Sequence, residues 1–266
     1  MKKSCCIITL CVILILSFSF LGCGNDSLLT NYDVTFSSYC AKEINERNII
    51  MFEYPLFETQ SNSYEKINEL IITTIEQSLS DVLNADFQGN IKDFPENLEW
   101  DNSDYSQYVL DVNYTVTRND SKYLSIVFEG FFNYKNAAHP INYFNSLIID
   151  IENENIINLS DLFIVDINFI TIVRQTFKEQ IRNGLAERND VSVDDISEVV
   201  EDGMSYLSDE ELLETLKKSN IGNNYGFNSY LTETQLGISI PLSHAVGDHF
   251  EILVSYDKLE ELMQRK

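Results

Sequence analysis

From residue 108 to 116 the chain reads Tyr108-Val109-Leu110-Asp111-Val112-Asn113-Tyr114-Thr115-Val116, with even positions apolar or aromatic and most odd ones polar. A two-residue period of this kind is that of a strand with one buried face. Arg118-Asn119-Asp120-Ser121 follows, a set of residues that tolerates Asx-turn or left-handed backbone. Residues 123–134 then resume the alternation with Leu124, Ile126, Phe128, Phe132 and Tyr134, so a hairpin is predicted. After the connection through His139 and Pro140, residues 143–151 set Tyr143, Leu147, Ile149 and Ile151 on one face of a third strand. Glu152-Asn153-Glu154-Asn155 turns that strand back, and Asn158-Leu159-Ser160-Asp161-Leu162-Phe163 closes the unit.

Around this meander other periods take over. Residues 49–57 are apolar enough for an internal strand, in which Pro55 marks an end or an edge position. Ile67, Leu70, Ile71, Thr74, Ile75, Leu79, Val82 and Leu83 recur at three- and four-residue spacing, the stripe of an amphipathic helix covering a sheet, with Ser63 as its N-cap. Residues 87–102, with Gly89, Pro95 and Trp100, read as a loop. Phe169, Ile172, Val173, Phe177 and Ile181 predict a second helix, and residues 191–218 one or two short acidic ones. Residues 230–241 read as a hairpin arm, 250–256 as a strand and 257–263 as a short closing helix. The pattern is α+β: an antiparallel sheet, made of the meander over 105–157 plus the C-terminal strands, packed by helices on one side.

Composition narrows the partners. The 266 residues are 44% hydrophobic and 12% aromatic, ample for a core. With 18 basic against 42 acidic residues the formal charge is −24, which repels nucleic-acid phosphates and favours a basic partner. Solubility alone is the blander account of that acidity.

Met1-Lys2-Lys3 and the apolar run over 7–21 have the form of a signal peptide, too short to span a bilayer. The run ends in Phe20-Leu21-Gly22-Cys23, similar to a bacterial lipobox in which Cys23 receives the lipid. Residues 1–22 are therefore expected to be a lipoprotein signal peptide and 23–33 a tether. Residues 34–266 follow as a single α+β domain, open to a division into lobes at 34–100 and 101–266. Cleavage removes Lys2 and Lys3 and takes the charge to −26. Cys5, Cys6 and Cys11 lie in the leader, so Cys40 is left alone in the exported part and no internal disulfide is expected.

Candidate chemistry is sparse. His244-Ala245-Val246-Gly247-Asp248-His249 gathers two imidazoles and a carboxylate, but at a spacing that fits no zinc pattern. His139 lacks an evident nucleophile and orienting acid. Asp194-Asp195, Glu210-Glu211 and Glu260-Glu261 are sequence neighbours that do not face one another across a cleft. Residues 190–202 lack the glycine of a calcium loop. No catalytic residue, cofactor or metal is expected, and the chain is not read as an enzyme.

The order "aromatic strand, Ala138-His139-Pro140, strand ending in an acidic turn, Ile157-Asn158-Leu159-Ser160-Asp161-Leu162-Phe163" resembles an uncharacterised-domain family of bacterial cell-envelope proteins. That family includes the extracellular domain of lysozyme-sensing anti-sigma factors and the N-terminal domain of some peptidoglycan deacetylases. Its glycines ahead of the Ala-His pair are replaced here by Asn136 and Ala137. The resemblance, over residues 49–263, implies a recognition domain with lysozyme, another basic protein or a cell-wall glycan as ligand, and the lipobox adds the expectation of a lipid anchor on the extracytoplasmic face of the cell membrane. His139, Tyr134 and Tyr143 are the expected contacts, chosen for their nearness to the motif and their aromatic content. A structural or assembly lipoprotein without a soluble ligand is the alternative, and an envelope-polymer hydrolase or deacetylase a third.

Overall fold

The computed structural model describes residues 36–44, 48–57, 64–83, 86–87, 98–99, 108–134, 137, 139–186, 204, 207–219, 226–242 and 247–264. The leader, Cys23, the tether, Ser63, Trp100, the acidic stretch 190–203 and His244 lie outside the described residues.

Two strands, β1 (Phe36–Ile44) and β2 (Ile49–Phe57), form an antiparallel pair in unbroken register. Helix α1 (Glu65–Leu83) follows, then the two-residue strands β3 (Asp86–Phe87) and β4 (Leu98–Glu99), which pair with each other. The meander is β5 (Tyr108–Asn119), β6 (Tyr123–Tyr134) and β7 (Ile141–Asp150), with β8 (Asn155–Ile156) returning on β7. Six strands make one sheet in the order β1-β2-β5-β6-β7-β8. All its pairings are antiparallel except β2 with β5. That pair is parallel because the connection between the two strands carries a helix, and a crossover of this length brings the chain back in the same direction. Since β5 pairs with β2 only from Ile49 to Phe52, Pro55 lies beyond that ladder, where its missing N–H costs least.

Most of the stripe predicted for α1 is buried; Leu70 is half-buried, and the Leu83 side chain is outside the described set. Ile67, Ile71, Ile75 and Leu79 are fully enclosed against Phe52, Leu110, Leu124, Ile126, Phe128, Leu147 and Ile149 of the sheet. Each such side chain contributes about 1.5–3 kcal/mol by leaving water.

The opposite face of the sheet is covered too, which the alternation in β5 does not announce. Helices α2 (Leu159–Leu162), α3 (Ile167–Ala186) and α4 (Asp209–Lys217) lead into a second antiparallel sheet. Its strands are β9 (Asn228–Leu231), β10 (Gln235–Pro241) and β11 (His249–Ser255), in the order β11-β10-β9. Helix α5 (Tyr256–Leu259) and a 3-10 turn, Glu260–Leu262, finish the described chain. One face of this sheet packs Leu236, Ile238, Ile240, Ile252 and Val254 with Phe169, Val173, Phe177 and Ile181 of α3, and with Ile148 of the larger sheet. The fold is α+β as read, a mostly antiparallel six-stranded sheet and a second three-stranded one with helices packed on them.

The edge of β9 that β10 leaves open rests on the larger sheet through two serines. Leu231 N–H donates to Ser125 Oγ at 2.9 Å, and Ser146 Oγ donates to the Ser229 carbonyl at 2.8 Å. Ser125 and Ser146 are buried polar residues in the middle of β6 and β7 because they satisfy that backbone edge. Among the described residues, no helix is long and apolar enough to cross a membrane.

Candidate functional site

Register on the second sheet decides which side chains share the face away from α3. Asn228, Ser239 and Glu251 form one cross-strand row, and Tyr230, Gly237 and Leu253 the next. Gly237 has no side chain, so the Tyr230 ring lies over β10; a β-carbon there would stand 2.1 Å from Tyr230 Cζ. The hydroxyl thereby reaches across and donates to Glu251 Oε2 at 2.7 Å. From the larger sheet, Val127 and Phe144 pack with Tyr230. Glu129, which pairs with Phe144 across β6 and β7, brings its carboxyl into hydrogen-bond reach of Glu251. The His249 ring sits 4.9 Å from that of Phe144. Ser239 Oγ, in the row between Asn228 and Glu251 and only 1% exposed, has no hydrogen-bond partner among the described residues.

The electrostatics of this corner follow from burial. Loss of water raises the Glu251 carboxyl above its ordinary value of 4.5; the Tyr230 hydroxyl pulls it back, and the adjacent Glu129 pushes it further up. Burial raises the Tyr230 phenol, and Glu251 adds to this. Burial lowers the His249 imidazole below 6.5 against the attraction of Glu129 and Asp248, which favours its neutral form. Two carboxyls in hydrogen-bond contact are closer than the separation of about 5 Å or more that glycoside hydrolysis uses. Two carboxylates this close repel each other, and a cation placed between them relieves the repulsion. Among the described residues, no group of three or more His, Cys, Asp or Glu side chains is gathered so as to hold a metal.

The residues picked from sequence do not form one surface. His139 is exposed on the turn before β7, and Tyr134, 46% exposed, ends β6 beside Phe132. Tyr143 is 3% exposed and points the other way, under α1, where its hydroxyl contacts Ser78 Oγ. It is a core residue and is corrected as a partner contact: a two-residue period places it on the α1 face together with Leu147 and Ile149.

Two motifs that looked separate in sequence are joined, however. Asn142 N–H donates to Asp248 Oδ2 at 2.8 Å, and Asn142 Nδ2 donates to the Gly247 carbonyl at 3.1 Å. The start of β7 and the loop just ahead of β11 are thus tied together. Gly247 at φ 118° and Asp248 at φ 68° shape that loop. Glu129, Tyr230 and Glu251 escaped sequence reading; a glycine inside β10 and an acid inside β11 were the available signals.

No family model matches the chain, and no curated protein matches it. Solved structures do. A crystal structure of a DUF3298 family protein from Pseudomonas aeruginosa is similar with a TM-score of 0.51 at 11% identity, over 87% of this chain and 93% of that one. A DUF3298 family member from Bacteroides fragilis is similar with a TM-score of 0.49 at 15% identity, over 88% and 94%. At 11% identity the Pseudomonas structure shares the fold: the chain folds like a protein of that uncharacterised-domain family.

Proposed function

We propose that this chain is a lipid-anchored recognition protein of the cell envelope, held on the extracytoplasmic face through Cys23, whose folded part grips a basic partner. Lysozyme is the partner to test first. The corner of Glu129, Glu251, Tyr230 and His249 is where a lysine or arginine of that partner is received. One observation carries the reading: a chain of formal charge −24 brings the exposed Glu129 carboxyl up to the half-buried Glu251 carboxyl, a place where a cation relieves their repulsion. The apolar wall of Val127 and Phe144 suits the methylene stem of a long basic side chain.

The test is titration of the purified chain with lysozyme at 10 mM and 150 mM salt, beside a Glu129→Gln/Glu251→Gln variant. Binding should weaken at least about tenfold across that salt range, because the screening length falls from about 30 Å to about 8 Å. The variant should bind more weakly than the parent at low salt. No binding at either salt removes lysozyme as the partner and favours the structural lipoprotein role. Binding that the variant leaves untouched removes the corner.

A further inference from the structure

The second layer covers the face of the larger sheet away from α1 over β6 and β7, where Val127 and Phe144 are buried against Tyr230. Farther along the same face, on β1, β2 and β5, that cover gives way to solvent, and register decides what stands there. One cross-strand row is Ile44, Ile49 and Val109; the next is Lys42, Met51, Asp111 and Phe131. Ile44 is 57%, Ile49 41% and Phe131 37% exposed, and Met51 and Val109 are half-buried. A sheet face turned to water normally presents polar residues. This one sets five apolar side chains next to one another, and an apolar patch rimmed by charge marks a place where another molecule is held.

We infer that this open face is a docking surface for a basic protein, continuous with the corner of Glu129 and Glu251. Charge selects that occupant. Among the described side chains of this stretch of the face, Glu53, Asp111 and Glu129 are acidic and Lys42 alone is basic. Cys40, an exposed free thiol paired with Glu53 across β1 and β2, senses that balance. Partial burial raises the thiol above its ordinary value, Glu53 raises it further, Lys42 pulls it back and Asp111 pushes it up again. A second copy of the chain would set this acidic face against itself, whereas a basic surface pairs the carboxylates while covering the apolar side chains. From β1 to β6 the patch is roughly 14 Å across. Glu129 stands at its margin, beside Asn113, so one partner reaches both the patch and the corner. The docking face rests on the proposed function for its class of partner and adds the surface that carries most of the contact.

The experiment uses the full chain in detergent with Cys5, Cys6, Cys11 and Cys23 changed to Ser, so that Cys40 is its single thiol. Alkylation by iodoacetamide at pH 8.5 and 10 mM salt is timed for the chain alone and with saturating lysozyme or cytochrome c, two basic proteins of unrelated fold. The thiolate displaces iodide and forms a thioether, so the rate follows access to the sulfur. A docked partner should slow it at least about fivefold. Ile44→Lys should weaken binding of the shielding protein at least about tenfold, by setting a cation against a basic surface. Ile164→Lys adds the same charge at another exposed apolar position, 44% exposed and tied to Leu262, and should weaken binding less than about threefold. Cys40 left open by both basic proteins, or equal losses from the two lysine variants, overturns the docking face. Shielding that grows with the concentration of the chain alone makes a second copy the occupant and overturns it as well. If Glu129→Gln/Glu251→Gln weakens lysozyme binding while Cys40 stays open, the face falls and the proposed function stands. If cytochrome c shields Cys40 and lysozyme does not, the face stands and lysozyme falls as the partner.

Discussion

The ring of Tyr230 lies across Gly237, and this single juxtaposition carries the phenol from β9 over β10 to the Glu251 carboxyl on β11 at 2.7 Å. Replacing Gly237 with Ala forces the ring off the sheet, since a β-carbon would sit 2.1 Å from Cζ. The expected loss is about 1–3 kcal/mol from overpacking, in urea unfolding at neutral pH. A loss under about 0.5 kcal/mol would mean that the ring moves aside freely.

Protonation of the corner should shape stability in two windows. Glu251 is raised above 4.5 by burial, so between 4.5 and its folded value the native carboxyl keeps a proton that the unfolded chain has released. Its contribution is fully present below 4.5 and is lost as pH rises through the folded value. His249 is lowered below 6.5 by burial, so its contribution is present above 6.5 and lost as pH falls through its folded value. Urea midpoints from pH 4 to 8 should show Glu251→Gln removing the first slope and His249→Asn the second. Parallel profiles for parent and variants would contradict the burial of both groups.

Tyr143→Phe and His139→Ala should separate core from surface. The first removes the hydroxyl that contacts Ser78, whose Oγ still accepts from Asn145 Nδ2, and so costs the net worth of one buried hydrogen bond, about 0.5–1.5 kcal/mol. Lysozyme titration should be unchanged by it. The second touches an exposed turn residue and should shift stability by less than about 0.5 kcal/mol. A stability loss from His139→Ala larger than that from Tyr143→Phe would reverse the assignment.

Asp248 does two things at once: its backbone holds φ 68° and its carboxylate accepts from Asn142 N–H. Asp248→Asn keeps both a tolerant backbone and an acceptor oxygen, whereas Asp248→Ala keeps neither. Ala should cost about 1–3 kcal/mol more than Asn in thermal or urea unfolding. Equal effects would show that the loop is not held through Asn142.

The lesson for reading this chain lies in Ser125, Ser146 and Glu251. Period-two alternation in β5, β6 and β7 and the stripe of α1 gave the meander, its covering helix and the α+β class, because those features depend on which residues share a face of one element. The same alternation assigns polar residues to water. Ser125 and Ser146 are instead buried, because a distant strand, β9, brings its backbone edge to their hydroxyls. No local pattern encodes that encounter.

By itself the sequence determined the meander strands, the main helices and the charge of −24, but not β3 and β4, two residues each, which pair across a stretch that reads as a loop. What it determined is a sum or a period along the chain. Only the tertiary structure decided that β2 and β5 run parallel and that Glu129 and Glu251 meet. Residues 122 positions apart are brought within reach by the docking of one sheet on another, and the Glu251 carboxyl is raised by the water that docking removes.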